Sequence, residues 1–218
     1  MIFDLDSTLL DSVEDIAAST NYALQQIGQP IHPVVSYKQF VGNGIAKLIE
    51  RALPEGARSS ENIDRMRQLF TAWYNDHMTH ATRPYQGLPE LLEELHLKGV
   101  KLAVASNKYH EATERLVSYY FPDIPFVMVL GHRIGMPAKP DPAIVQTILA
   151  LSGVAPQQTL FIGDSGVDMQ TAINSNTIAC GVSWGLRSRS ELESFNPAFI
   201  VDNTAELREL LLLPTSES

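Results

Sequence analysis

Two aspartates stand two residues apart in Asp4-Leu5-Asp6-Ser7-Thr8, directly after the apolar stub Met1-Ile2-Phe3. In an extended segment residues i and i+2 face the same way, so Asp4 and Asp6 would share one pocket while Leu5 turns into the core. Two carboxylates this close disfavour double ionisation unless a cation or a shared proton intervenes. The pair therefore predicts a bound metal, a proton-transfer role, or both. A turn or helix-cap cluster is the plainer alternative.

Further polar groups stand where later apolar runs end. Ser106-Asn107 follows Lys101-Leu102-Ala103-Val104-Ala105, and Asp164 follows Phe161-Ile162-Gly163. Between them Lys139 sits in the loop Pro137-Ala138-Lys139-Pro140-Asp141-Pro142. Each has an ordinary explanation when taken alone: Ser106 as a helix N-cap, Lys139 as an exposed loop lysine, Asp168 as a solvated acid favoured by a helix dipole. Together they predict more, because ligands of open parallel sheets bind beyond the carboxyl ends of the strands, near the switch in strand order.

The elements needed to gather these groups are legible. From about residue 88 onward, short β-rich runs at 101–105, 126–130, 159–163, 177–182 and 199–201 alternate with helical patterns at 111–119, 142–151, 167–174 and 205–212. Strands separated by helices predict an α/β fold with a doubly wound parallel sheet. Between Asp11 and about Tyr85 strand signals vanish and three or four amphipathic helices follow one another. The first opens on Ser12 and Asp15 in capping-box spacing, and Gly28 ends it. Ser36 and Gln39 repeat the start signal. A longer helix carries Ile63, Met66, Phe70, Trp73 and His77 on one stripe, which reads as core. The expected organisation is an α/β core formed by 1–12 and 85–218 with a helical cap domain, 13–84, inserted after the first strand. Its hinges would lie at Asp11-Ser12 and Arg83-Pro84-Tyr85, and the polar tail 214–218 is expected to be disordered.

Composition narrows the partners. Of 218 residues, 44% are hydrophobic, enough for a sizeable core. Lys and Arg number 16 against 25 Asp and Glu, a net charge of −9, which argues against a nucleic-acid surface and for a small ligand in a local pocket. The single cysteine, Cys180, excludes an internal disulfide and a Cys-rich zinc site, and its apolar neighbours mark it as structural. No apolar run reaches membrane-spanning length and no basic leader precedes the first strand, so a soluble cytoplasmic protein, monomer or homodimer, is expected.

Taken in order, Asp4-Leu5-Asp6-Ser7-Thr8, Ser106, Lys139 and Gly163-Asp164-Ser165-Gly166-Val167-Asp168 resemble the motifs of a haloacid dehalogenase-superfamily phosphatase. The resemblance covers nearly the whole chain and is greatest to the phosphoglycolate phosphatase branch, which has a helical cap. It implies a Rossmann-like core and Asp4 as nucleophile, passing through an aspartyl-phosphate. Asp6 would act as general acid and then general base. Mg2+ would be held by the Asp4 side chain, the Asp6 main-chain oxygen and Asp164, with Asp168 direct or through water. Lys139, Ser106 and the Asn107 backbone N–H would hold the phosphoryl oxygens. Lys108 would cap or steady its loop.

In the expected cap, Phe40-Val41-Gly42-Asn43-Gly44-Ile45 is a glycine-bracketed turn opening a helix, where free N–H groups can receive an anion. With Gly44 and Lys47 as candidate substrate contacts, a small phosphorylated carboxylate such as 2-phosphoglycolate is the expected substrate; an ordinary helix–helix turn is the alternative. Asp6 disfavours dehalogenation, which has no phosphate leaving group to protonate. A phosphonate hydrolase would need a Schiff-base lysine, for which Lys38 and Lys47 qualify by type alone. A β-phosphoglucomutase-like sugar phosphomutase would keep the same core carboxylates. A non-catalytic phosphate-binding module would have favoured loss of Asp4, Asp6 or Lys139, all of which are present. Two departures from the family pattern bear on the site: Ser7 replaces the usual glycine, and only three residues precede Asp4, which predicts a weakly anchored nucleophile strand.

Overall fold

In the computed structural model, which describes residues 1–212, the chain begins with β1 (Ile2–Phe3), β2 (Leu10–Asp11), α1 (Val13–Gln26), α2 (Tyr37–Phe40), α3 (Gly44–Ala52) and α4 (Ser60–His77). It continues through β3 (Arg83–Pro84), α5 (Leu88–Leu97), β4 (Ala103–Tyr109), α6 (His110–Tyr120), β5 (Met128–His132) and α7 (Ala143–Ser152). The last elements are β6 (Leu160–Gly163), α8 (Gly166–Asn174), β7 (Ile178–Val182), α9 (Arg189–Glu193), β8 (Phe199–Val201) and α10 (Thr204–Leu212). The tail expected at 214–218 lies outside the described residues. Among the described residues no helix is long and apolar enough to cross a membrane.

Six parallel strands form one sheet in the order β5-β4-β1-β6-β7-β8. The chain winds outward from β1 in one direction through β4 and β5, and in the other through β6, β7 and β8. The strand order therefore reverses at β1, and the crevice there is where an open sheet of this kind binds ligands. One face of the sheet packs Ile2, Ala105, Val145, Phe161, Met169 and Leu192 into a core of its own. The other face, with Phe3, Val104 and Ile162, is continuous with the helices that follow β2.

Although β1 has only two paired residues, it is held on both sides. Ile2 pairs with Ala103 and Phe161, Phe3 pairs with Val104 and Ile162, and Asp4 N–H donates to Ile162 O at 2.9 Å. Ile2 and Phe3 are almost fully buried. A central strand with neighbours on each edge is thus bonded on both sides despite its brevity.

Helices α1 to α4 lie between β2 and β3, which pair antiparallel as a short ribbon. The sequence placed hinges at these two points without indicating that they bond to each other. In α4 the buried stripe is Met66, Phe70 and Tyr74, one residue per four, which keeps them on one face. Burial of each such side chain stabilises by roughly 1.5–3 kcal/mol. Trp73 and His77, expected on that stripe, instead stack on the flank with Tyr22, at centroid distances of 4.0 Å (Tyr22–Trp73) and 3.9 Å (Trp73–His77).

The capping box expected at Ser12 and Asp15 does not form. Ser12 occupies the N-cap position but makes no side-chain cap bond, because its hydroxyl donates to Asp6 Oδ1 at 2.6 Å. Asp15 accepts from Ala81 N, Thr82 N and Thr82 Oγ1 at 2.7–3.1 Å. Stronger partners outside the helix have taken both side chains: one braces the Asp6 carboxylate, and the other fastens the returning chain to α1.

Candidate active site

The turn after β1 sets the first carboxylates. Asp4 Oδ1 accepts from Leu5 N–H at 2.7 Å and pairs with Lys139 Nζ at 2.9 Å. Among the described residues Oδ2 takes no hydrogen bond, leaving one carboxylate oxygen free in the cleft that Asp4 lines. Burial, reinforced by Asp168 against the counter-effect of Lys139, pushes the Asp4 pKa up to about 6. Ser7 stands at φ 64°, and its buried hydroxyl has no hydrogen-bond partner among the described residues. This left-handed conformation costs a non-glycine residue about 1–2 kcal/mol. Ser7→Gly should therefore raise stability by about 1 kcal/mol in urea denaturation; a fall would contradict the strain.

Asp6 faces another cation. Its two carboxylate oxygens each lie 3.0 Å from Lys108 Nζ, and Oδ1 also receives the Ser12 hydroxyl. Lys108 is buried and its ammonium lies 4.6 Å from the ring centre of Tyr74. Its role is thus larger than steadying a loop: it is the counter-ion of Asp6. The only sequence signal for this was a lysine immediately after Ser106-Asn107.

The second strand-end contribution comes from a break within β4, since pairing with β5 is irregular between Ala105 and Tyr109. Ser106 Oγ, which accepts from Lys108 N at 3.2 Å, lines the cleft. Asn107 clamps the lysine loop: its Oδ1 accepts from Lys139 N at 2.8 Å and its Nδ2 donates to Lys139 O at 3.0 Å. That clamp presents Lys139 to Asp4 and, at 2.7 Å, to Asp168. Burial disfavours the ammonium, but Asp168 and Asp4 outweigh it and hold the Lys139 pKa above its ordinary value.

After β6, Asp164 and Asp168 complete the cluster. One carboxylate oxygen from each of Asp4, Asp164 and Asp168 falls within 4.8 Å of the others, a group able to hold a metal ion. Asp168 is already engaged: Oδ1 meets Lys139, and Oδ2 accepts from Ser165 N and Oγ in a capping box that opens α8. Asp164 accepts from Thr8 Oγ1 at 3.3 Å and Leu186 N–H at 2.8 Å. Burial first, then the Asp168 and Asp4 charges, raise its pKa well above the carboxylate range. Sequence reasoning missed the 183–188 loop that supplies Leu186. A Cβ at Gly185 would overlap the Asp164 side chain, so this close approach requires glycine.

A cleft of about 650 Å³, open to solvent, rises from Asp4, Asp6, Ser106 and Asp164 toward α1 to α4. Its upper wall is apolar, with Ile16, Val41, Ile45, Leu48 and Phe70, and Lys108 and Arg187 also line it. Gly44 lines it at φ +80°, where a Cβ would stand 3.2 Å from Asn107 O. Lys47 does not join the cleft: its ammonium pairs with Glu50 at 2.6 Å on an exposed flank of α3.

Residues 1–182 match the model of the family described as haloacid dehalogenase-like hydrolase. The phosphoglycolate phosphatase of Psychrobacter arcticus is 32% identical over 219 residues, covering 97% of this chain and 95% of its own. That of Vibrio parahaemolyticus is 31% identical over 214 residues, covering 96% and 94%. A crystal structure from Lactobacillus delbrueckii subsp. bulgaricus, provisionally assigned the same phosphatase name, superposes with a TM-score of 0.89 at 32% identity and covers 98% of both chains. The strand order, the gathered carboxylates and these matches agree: the chain belongs to the haloacid dehalogenase-like hydrolases.

Proposed function

We propose that the protein is a Mg2+-dependent phosphoric monoester hydrolase acting on a small phosphorylated carboxylate, 2-phosphoglycolate foremost. The observation that carries this is the gathering of Asp4, Asp164 and Asp168 into one carboxylate cluster, with Asp4 and Asp164 lining the cleft and Lys139 paired to Asp4 and Asp168. The names borne by relatives about 30% identical over most of their length support the substrate.

The three-carboxylate cluster is an all-oxygen donor set that suits Mg2+. Asp4 and Asp164, with the Asp6 main-chain oxygen, would hold the ion, and Asp168, also engaged by Lys139 and Ser165, would ligate it directly or through water. When bound, Mg2+ supplies charge that polarises the phosphoryl group. Asp4 Oδ2 attacks phosphorus in line, breaking the ester bond and forming an aspartyl-phosphate. Asp6 protonates the departing oxygen and then takes a proton from the water that releases phosphate. Lys108 and Ser12 hold Asp6 in place for both transfers. Lys139 and Ser106 bind the phosphoryl oxygens. The turn at 42–44 and Lys108 would receive the substrate's carboxylate.

A panel of phosphate esters with purified protein and Mg2+ tests this directly. 2-Phosphoglycolate should exceed sugar phosphates in kcat/KM by about tenfold or more. Equal rates would remove the substrate assignment, and no hydrolysis at all would remove the phosphatase.

Protons and metal compete for the same oxygens. Asp4 is held near pKa 6 and Asp164 is raised with it, so both bind protons more tightly folded than unfolded. Without metal, Asp4 makes the fold lose stability as pH rises from about 4 to about 6, since the unfolded chain gives up its proton first, and Asp164 acts in the same direction. Mg2+ should reverse this, raising Tm strongly above about pH 6 and hardly at all below about pH 5. An equal rise in Tm at both ends would count against carboxylate ligation.

A further inference from the structure

Arg187 lies outside every motif that marks the active site, in the loop between β7 and α9. Its guanidinium crosses to the helical insertion, where it donates to Lys38 O and, at 2.9 Å, to Val41 O. These carbonyls lie at the end of α2, a helix of four residues whose last C=O groups lack partners within the helix. On its other side, Arg187 Nε lies 3.7 Å from Glu191 Oε1, the oxygen that accepts Gly166 N–H at the start of α8.

The same loop also touches the carboxylate cluster. Leu186 N–H donates to Asp164 Oδ2 at 2.8 Å, and Gly185 is packed against the Asp164 side chain. Three consecutive residues, 185–187, therefore contact Asp164 at one end and the roof of the cleft at the other. Within the insertion, Arg51 stiffens the same turn through Phe40 O at 2.9 Å and Asn43 Oδ1 at 2.7 Å. Another core side chain bonded to this turn is Asn107, whose Nδ2 reaches Gly42 O at 3.3 Å.

We propose that Arg187 is a positioning residue that fixes the 41–44 roof over the phosphoryl site by tying it to the loop that orients Asp164, and so governs discrimination among substrates. The consequence for substrates rests on the phosphatase reading above; the tie itself does not. Val41, Gly42 and Gly44 all line the cleft, so a roof that drifts would lose contacts with the part of the substrate that differs between esters. Attack at phosphorus depends on Asp4, Asp6 and Lys139, none of which Arg187 touches.

Two measurements on Arg187→Met and Arg187→Lys test this. Arg187→Met removes every donor while keeping an unbranched apolar stem; Arg187→Lys retains a cation able to reach one carbonyl. In hydrogen exchange, backbone amides of 42–52 should open about tenfold faster in Arg187→Met, with β4 and β6 unchanged and Arg187→Lys between the two. The ratio of kcat/KM for 2-phosphoglycolate over phenyl phosphate should fall about tenfold, mainly through KM. Wild-type exchange in Arg187→Met, or an unchanged ratio, would overturn the proposal. A wild-type protein that hydrolysed neither ester would overturn the phosphatase reading and the discrimination with it, while the exchange rates would still decide the tie. If Arg187→Met fails to fold, Arg187→Lys alone supplies the same two comparisons.

Discussion

Asp4→Asn should lower turnover by about four orders of magnitude or more at saturating Mg2+, because an amide oxygen cannot form the acyl phosphate. The shape of the site should survive. Asparagine nearly matches aspartate in size, its oxygen can still accept Leu5 N–H, and Lys139 keeps Asp168 at 2.7 Å. The buried carboxylate, with its pKa raised to about 6, is itself a cost to the fold near neutral pH, so the variant should melt no earlier than wild type without metal. Saturating Mg2+ matters to the interpretation. If Asp4 were only a metal ligand and water attacked phosphorus directly, excess Mg2+ would restore much of the rate; a nucleophile cannot be restored that way.

Lys139→Met should damage both stability and rate. Lys139 is almost fully buried, within 2.9 Å of Asp4 and 2.7 Å of Asp168. Its removal leaves two buried carboxylates facing each other without a counter-charge. Breaking a buried pair in this way costs about 3–5 kcal/mol. The sign with pH is distinctive: without Lys139, which lowers its pKa, Asp4 holds its proton to higher pH, so the deficit should be largest above about pH 7 and shrink below about pH 5. Mg2+ should recover part of the stability by taking over the missing charge. It should not recover the rate, which is expected to fall by about a thousandfold with the loss of a cation from the phosphoryl oxygens. Thermal melts at two pH values with and without Mg2+, together with steady-state rates, separate these effects. A variant as stable as wild type at pH 8 would show that the pair contributes little.

Most of the proposed catalytic set was legible because each member ends an apolar run. Asp4, Ser106 and Asp164 stand after segments whose composition marks a strand, and a parallel sheet gathers strand ends. Lys139 was legible by its place in a proline-rich loop between two such ends, though the Asn107 side chain that presents it left no periodic signal. What escaped were contacts made by groups that every chain has in abundance. The N–H of Leu186 that binds Asp164, the carbonyls that receive Arg187, and the pairing of β2 with β3 involve backbone atoms and so carry no residue-type signature. Ser12 and Asp15 show the opposite failure, since their spacing fitted a local capping rule that tertiary partners overrode. Lys47 was a candidate substrate contact by its charge and its place near the start of α3, yet the turn of α3 carries it to solvent beside Glu50. Ser7 was the most informative departure. Glycine is the usual residue where φ is positive, and the structure finds φ at 64° there.

Rapid acid quench of wild-type protein during turnover of 2-phosphoglycolate, followed by peptide mass mapping, tests the central claim most directly. A single phosphoryl group should appear on the peptide that carries Asp4 and vanish when the quench is delayed past substrate exhaustion. Phosphate released at full rate with no label on that peptide, or a label carried by another residue, would contradict nucleophilic attack by Asp4.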